Sequence, residues 1–565
     1  MKERLDELTI DNFRIFAGTN TFKFTDLNIY TGANNSGKST IIKAIKLFAD
    51  GLAKSDFPAL NLISEDSNLG SYDSVINWYS NKKNFKIGFN TKIADIDGTF
   101  NVVYTFSEGK NKDELFRETA LFAKLEIISP DGDVFFGIYS DYSPDPGDRT
   151  IRSIESPTER SDPGLVDFRL NIALLEKYLS KITDQDYTLL IKLLNSIKGG
   201  DNFWWGECFK EDEYNIVDYD ISNLFFKDFE EDLALDRYYN LAGYKSREIL
   251  YLDNDAINEK KQYQYNSNFL NYNGFINNVV HSILESVKTG LDLFRNNNIL
   301  HIVSDISQER LIINNLQSQY LKRLYQILGK SENLSFIRRS LASFEIDGSV
   351  EIVPHLNTAF EVNLITNVQT VKNKKVENSK LNGRSYFGAY QESYKDYESN
   401  QRINIADLGK GTANIIKLIL KTAAILFSSR EEFRMKEELP QDQGRKGNPV
   451  ARKTILVEEP EAFLHPNWQS KLMDFFMRCS DEFGVQFIIE THSVYLIQRL
   501  QYLVAKDDIE YKDVTILYFN SNDTAEKFYK INIRKDGILK ESFGTGFYDE
   551  TANLTADILN IQNIN

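Results

Sequence analysis

Gly32-Ala-Asn-Asn-Ser-Gly-Lys-Ser-Thr40 has the required residue at every fixed position of G-x-x-x-x-G-K-[S/T]. Just before it, Leu27-Asn-Ile-Tyr-Thr31 reads as a short buried strand. After it, Ile41, Ala44, Ile45 and Phe48 recur at helical spacing to about Gly51. A strand, a glycine loop and a helix in that order aim successive backbone N–H groups at phosphate oxygens, backed by the positive end of the helix. Gly32, Asn34, Asn35, Ser36, Gly37 and Thr40 then form the cradle, Lys38 reaches the β- and γ-phosphates, and the Ser39 hydroxyl sits on Mg2+. The stretch predicts a nucleoside triphosphate site on an α/β fold.

Upstream, Leu8 to Phe16 alternates apolar and polar residues as a half-buried strand does, and Phe22-Lys-Phe24 follows as a second strand. Asn12, Phe13 and Arg14 lie between them, placed for an aromatic ring or guanidinium to flank the adenine; an ordinary edge strand reads the same way. Downstream, the runs Phe85–Asn90, Phe100–Phe106, Ala123–Ile128 and Val134–Ile138 are separated by turn residues such as Asp97-Gly98 and Pro130-Asp-Gly132. They predict an antiparallel β-subdomain beside the nucleotide site. A proline-rich stretch from Tyr142 to Gly164 marks the exit from this first lobe.

From about Val166 to Ser343 the pattern is mainly helical, with apolar faces at Leu170, Ala173, Leu174, Tyr178, Leu179 and at Ile276, Val280, Leu284, Val287, Leu291. Between Glu207 and Asp232 acids outnumber bases by ten to two, either a solvated acidic face or a docking surface for a basic partner. Strands return at Phe344–Ile346, Glu351–Val353 and Phe360–Thr366, followed by a turn at Lys372–Lys375. A helix over Ala413–Phe427 precedes a polar, mobile insertion at 428–452. The expected organisation is a first lobe at 1–150, a helical insertion at 151–343 and a second lobe at 344–565.

Thr454-Ile-Leu-Val-Glu-Glu-Pro-Glu461 is a buried strand ending in acids. A carboxylate there holds Mg2+ opposite Ser39 and the next activates the attacking water, which assigns Glu458 to the metal and Glu459 to general-base catalysis. Val485-Gln-Phe-Ile-Ile489 is a further buried strand, and His492 at its end can report the γ-phosphate. Gly409, Lys410, Gly411 and Thr412 open the Ala413–Phe427 helix and form a second anion site by the same physics as the first. One triphosphate does not fill two such sites in one lobe. A composite site, in which this helix caps the nucleotide of a second protomer, accounts for both; a plain helix cap is the alternative.

The bulk properties narrow the class. The 565 residues are 42% hydrophobic and carry a net charge of −16, which argues against a whole-surface nucleic-acid or membrane binder. No apolar run approaches the roughly 18 residues that cross a bilayer, and the first residues lack the apolar core of a secretory signal. Cys208 and Cys479 form no metal or redox pattern, so a cytoplasmic location is expected. The histidines at 281, 301, 355, 465 and 492 do not pair at metal-ligand spacing.

In order along the chain, "LTIDNFRIF", "GANNSGKST", "ILVEEPEAFLHP" and "FIIETHS" resemble the ABC-type ATPase heads of the SMC, RecF and OLD lineage. The 420 residues between Lys38 and Glu458 fit a head split by a long insertion. "NLGSYDSVIN" and "GILKESFGTGFYDE" are similar to segments of stand-alone ATPases in bacterial anti-phage modules such as Septu, PARIS and retron-associated systems. The resemblance implies an ABC-type head of two lobes with ATP and Mg2+ as cofactors. It implies a homodimer, with higher oligomers open, in which Gly409, Gly411 and Thr412 serve the opposite protomer's ATP. Three features depart from the lineage: no LSGGQ signature, no glutamine before Gln185, and no TOPRIM nuclease pattern in the 72 residues after Ser493. Either another residue near Ser71 or Asn77 is expected to replace the missing glutamine, or turnover is expected to be slow. A sensor or scaffold controlling a separately encoded effector, such as a nuclease in phage defence, is the leading expectation. A DNA-repair ATPase clamping DNA is the alternative, and no membrane partner is expected.

Overall fold

The computed structural model describes residues 4–53, 59–63, 69–93, 98–108, 119–139, 167–171, 202–204, 283, 286–294, 299–303, 331–354, 360–367, 400–438, 453–520, 526–544, 547, 554 and 557. The acidic run Glu207–Asp232, the turn at Lys372–Lys375 and residues 439–452 of the expected mobile insertion lie outside them. The chain divides into two compact units, one of residues 1–25, 36–299 and 449–454, the other of residues 26–35, 300–448 and 455–565. The division falls inside the phosphate loop, between Asn35 and Ser36.

The first unit is built on a nine-stranded sheet. Its strands are β1 (Glu7–Asp11), β2 (Asn20–Lys23), β4 (Ala59–Asn61), β5 (Asn84–Thr91), β6 (Phe100–Glu108), β7 (Thr119–Ile128), β8 (Val134–Tyr139), β9 (Asp167–Asn171) and β10 (Asn202–Trp204). They lie in the order β10-β9-β8-β7-β6-β5-β1-β2, with β4 on β7. Every pairing is antiparallel, as the turn-separated runs predict; Ile10 faces Ile87, and Ile87 faces Tyr104. Helix α1 (Lys38–Ala53) buries Ile41, Ile42, Ile45 and Phe48. The Phe48 ring lies 5.2 Å from Tyr104 and 5.1 Å from Phe294, so the helix is anchored on the sheet by aromatic packing.

β1 stops earlier than the alternation predicts. Asn12 and Arg14 take φ of 54° and 51°, and Phe13 and Phe16 exchange backbone hydrogen bonds of 3.0 Å, which turns the chain into a corner. A short helix, α2 (Tyr72–Val75), follows before β5.

The second unit carries β3 (Leu27–Gly32), β11 (Ile299–Val303), β15 (Thr454–Glu458), β16 (Gln486–Glu490), β17 (Val514–Phe519) and β18 (Phe528–Ile531) in one six-stranded sheet of order β11-β15-β16-β3-β17-β18. β16 and β17 both run parallel to β3, with Ile29 facing Ile489 on one side and Ile516 on the other. All six residues of β3 are buried, the continuous burial that a parallel strand covered on both faces demands. A three-stranded antiparallel sheet of β12 (Ser349–Pro354), β13 (Phe360–Asn367) and β14 (Asn400–Asn404) completes the strands.

Helices α3 (Ser331–Ser343), α4 (Lys410–Glu438), α5 (Pro466–Phe483) and α6 (Val494–Ala505) share one apolar core with that sheet, through Phe336, Ile419, Phe475, Phe476 and Leu500 among others. Each such side chain adds about 1.5–3 kcal/mol on full burial. Pro466 occupies the first turn of α5, where its missing N–H costs nothing, and Gly484 ends the helix at φ 64°.

Three expectations change. α4 runs on through residues 428–438 instead of breaking at Phe427, because Arg, Glu, Met and Lys are strong helix formers despite their polarity. Phe344–Ile346 is the turn that follows α3, closed by Ile346 N–H donating to Leu341 O at 3.0 Å, and no strand. Leu170, expected on a helix, lies on β9 facing Phe136 of β8. No helix among the described residues is long and apolar enough to cross a membrane.

Candidate nucleotide site

The phosphate loop leaves β3 where only glycine fits. Gly32 has φ 138°, and a Cβ there would run into the Phe519 carbonyl at the end of β17. The next N–H, of Ala33, donates to that same carbonyl at 3.0 Å. Asn34 and Asn35 are exposed, and Asn35 takes φ 56°, a region that Asn tolerates better than branched residues. Across the unit division, Ser36, Lys38 and Thr40 are buried, Ser39 is half-buried, and Thr40 N–H donates to Gly37 O at 3.0 Å. α1 begins at Lys38 with no acid in its first turn, so its own sequence leaves the positive helix end in place.

Within the second unit, backbone hydrogen bonds tie the ends of the other motif strands together. Glu459 N–H donates to Glu490 O at 2.9 Å, and Thr491 N–H donates to Tyr30 O at 2.9 Å. The acidic strand, the strand before His492 and the strand before the loop therefore finish at one edge. Glu458 is half-buried at the tip of β15; Glu459 is exposed and held at φ 44°. Among the described residues seven non-glycines have positive φ, and four of them, Asn12, Arg14, Asn35 and Glu459, are predicted site residues. Such conformations cost about 1–3 kcal/mol each and gather where function holds them.

Two residues at this edge escaped the sequence reading. Glu461 is buried, and its Oε1 accepts the His492 N–H at 2.5 Å, which fixes the backbone that presents His492. Burial raises the Glu461 carboxyl above its ordinary value, opposed by the hydrogen bond from His492. The second is His301 of β11, whose Nε2 lies 2.6 Å from Glu458 Oε1. The acid three residues beyond Glu458 was a visible signal for the first. The second joins positions 157 residues apart and left none.

The helix-start residues come against the turn after the acidic strand. Gly411 approaches the Phe463 carbonyl so closely that a Cβ would sit 2.7 Å from it. Lys410 Nζ lies 5.1 Å from the centre of the Phe463 ring, and Asn414 Nδ2 donates to Ala462 O at 3.2 Å. Gly409 and Lys410 are exposed, Gly411 and Thr412 half-buried, so α4 opens outward with no acid in its first turn.

Of the three residues expected to flank the adenine, Phe13 is fully buried, edge-on to Phe85 at 5.5 Å, and packs in the core of the first unit, where it does not face a base. Asn12 is buried too, donating through Nδ2 to Lys82 O at 3.0 Å and to Asn84 O at 2.5 Å. Arg14 is half-buried, and burial lowers its pKa from the ordinary arginine value. Asn77, an expected stand-in for the missing glutamine, donates to Arg14 O at 2.6 Å and so braces this corner.

The donor set suits ATP and Mg2+. Glu458, half-buried at the end of β15, is a hard oxygen donor of the kind that Mg2+ takes. Among the described residues no three His, Cys, Asp or Glu side chains cluster to hold an ion by themselves. Mg2+ characteristically takes one or two protein oxygens and completes its shell with phosphates and water.

No curated protein matches the chain. Solved structures that match include the SMC head domain with an extended coiled coil bound to the C-terminal domain of ScpA from Pyrococcus furiosus, at 14% identity over 98% of this chain and 99% of that chain, TM-score 0.29. The SMC head domain from Thermotoga maritima matches at 10% identity over 94% and 100%, TM-score 0.31. The SMC head bound to the C-terminal winged-helix domain of ScpA matches at 11% identity over 95% and 97%, TM-score 0.32. The family model AAA_15, described as AAA ATPase domain, matches residues 1–497 and so takes in both the Gly32–Thr40 loop and His492. The chain belongs to this ATPase family.

Proposed function

We propose that this ATPase is an ABC-type head of the SMC, RecF and OLD lineage that dimerises around ATP and controls a separately encoded effector in phage defence. The observation that carries the reading is the common edge of β3, β15 and β16, where Glu459 and Thr491 hydrogen-bond across the strand ends. In open α/β sheets, ligands bind outside the carboxyl ends of parallel strands.

In this reading the Gly32–Thr40 loop and Lys38 hold the phosphates, and Ser39 and Glu458 are the Mg2+ ligands. Mg2+, when bound, neutralises charge on the β- and γ-phosphates. Glu459 takes a proton from the attacking water as the bond to the leaving ADP oxygen breaks, and His492 marks the γ-phosphate. Gly409, Lys410, Gly411 and Thr412 cap the partner protomer's γ-phosphate, for which an exposed helix start without acids is suited. Arg14 is the remaining candidate to flank the base. The protein works in the cytoplasm.

Light scattering on the Glu459→Gln chain tests the assembly. A doubled mass with ATP and Mg2+, absent in Lys38→Ala, is expected; the same mass with and without ATP overturns it. Tagged protein purified from its native operon tests the control of an effector. Recovery of a neighbouring gene's product is expected. Recovery of this chain alone, with phage sensitivity unchanged when the neighbours are deleted, overturns that role.

A further inference from the structure

We propose that His301 is a positioning residue for Glu458, orienting the carboxylate that meets Mg2+; the inference rests on the nucleotide-site reading above. β11 is the edge strand of the six-stranded sheet and neighbours β15. From it, His301 brings Nε2 to 2.6 Å from Glu458 Oε1, with the two side chains only 15% and 18% exposed. The other described histidines do different work: His465 Nδ1 accepts from Asn467 N–H at the start of α5, and His492 lies two residues past the end of β16.

The demand for such a residue follows from the ligand count. With no cluster of three His, Cys, Asp or Glu among the described residues, the proposed site relies on phosphates, water, one hydroxyl and one carboxylate. A lone glutamate has several rotamers, and each one that aims it away from the ion weakens binding. A ring nitrogen on the adjacent strand, donating to one carboxylate oxygen, holds the rotamer at the cost of ordering a side chain the sheet already confines. Outer partners of this kind are worth about 10–100-fold in metal affinity.

The experiment uses the full chain and two variants, His301→Ala and His301→Gln, the latter keeping an N–H donor. ATP affinity is measured with Mg2+ and with EDTA, and hydrolysis is followed across a Mg2+ titration. His301→Ala is expected to raise the half-maximal Mg2+ concentration about 10-fold while ATP affinity in EDTA stays within about twofold, and His301→Gln is expected to recover most of the loss. An unchanged Mg2+ requirement in His301→Ala, or equal losses of ATP affinity with and without Mg2+, overturns the role. His301→Phe keeps the ring without a donor and gives the same reading if the smaller residue unfolds the sheet. Glu458→Gln separates the two levels. If it too leaves the Mg2+ requirement unchanged, the metal assignment fails; if it raises the requirement and His301→Ala does not, only the positioning role fails.

Discussion

The two large sheets of this protein differ in strand direction, and that difference decides where chemistry can gather. In the six-stranded sheet β16 and β17 run parallel to β3, so their carboxyl ends meet at one edge, and Glu459, from β15, is hydrogen-bonded to the end of β16. Gly32, Glu459 and His492 thus come from three distant stretches and share one margin. In the nine-stranded sheet every neighbour reverses direction, and successive strand ends fall on opposite margins. Of the predicted site residues, Asn12, Phe13 and Arg14 directly follow its strand β1, and Phe13 is buried in the core. Parallel strands collect loops; antiparallel strands separate them.

The strongest test of that contrast is Glu459→Gln. Losing a general base costs about 10²–10⁴-fold in turnover, while ATP binding and the melting temperature hold. Turnover at the normal rate would show that the edge is not where water is activated. Phe100→Ala tests the other sheet. Phe100 is fully buried with its ring 5.2 Å from Phe135, and its truncation is expected to cost about 3–5 kcal/mol in chemical denaturation. ATP affinity of the remaining folded protein should match the wild type; a large change would mean that this sheet reaches the chemistry after all. Gly32→Ala lies where sheet and loop meet. A methyl group against the Phe519 carbonyl, on a residue at φ 138°, costs roughly 3 kcal/mol through strain and overpacking. Here stability and ATP affinity should fall together, and loss of one without the other breaks the link between them.

Much of this edge was legible because its signals are local. An apolar run followed by a glycine loop, by paired acids or by Thr-His-Ser declares both the strand and the group at its tip, as at Leu27–Thr40, Thr454–Glu459 and Val485–Ser493. What the sequence hid needs tertiary information. Phe13 carries the right ring for a base, but the left-handed residues on either side of it turn the chain at a corner. His301 meets Glu458 only because β11 is laid beside β15. Residues 428–438 looked like a loop by polarity, whereas helix propensity depends on backbone and rotamer entropy, which Arg, Glu, Lys and Met lose little of.

The smallest expected effect concerns Glu461, the buried carboxylate that accepts from the His492 N–H. Burial raises its pKa in the folded protein, and the hydrogen bond from His492 N–H pulls the other way without reversing the shift. Below the ordinary glutamate pKa of about 4.3 the group is protonated in both folded and unfolded chains and burial carries no charge penalty. As pH rises toward and through the folded value, the unfolded chain loses its proton more readily than the folded one, and stability falls. Glu461→Gln keeps an oxygen to accept from His492 N–H but does not ionise. Its melting temperature relative to wild type should therefore be least favourable near pH 4 and climb toward pH 8, with ATP turnover retained. A pH-independent difference would mean that the carboxylate is not held against its charge. Loss of turnover at unchanged stability would mean that Glu461 acts on the chemistry itself, beyond holding His492 in place.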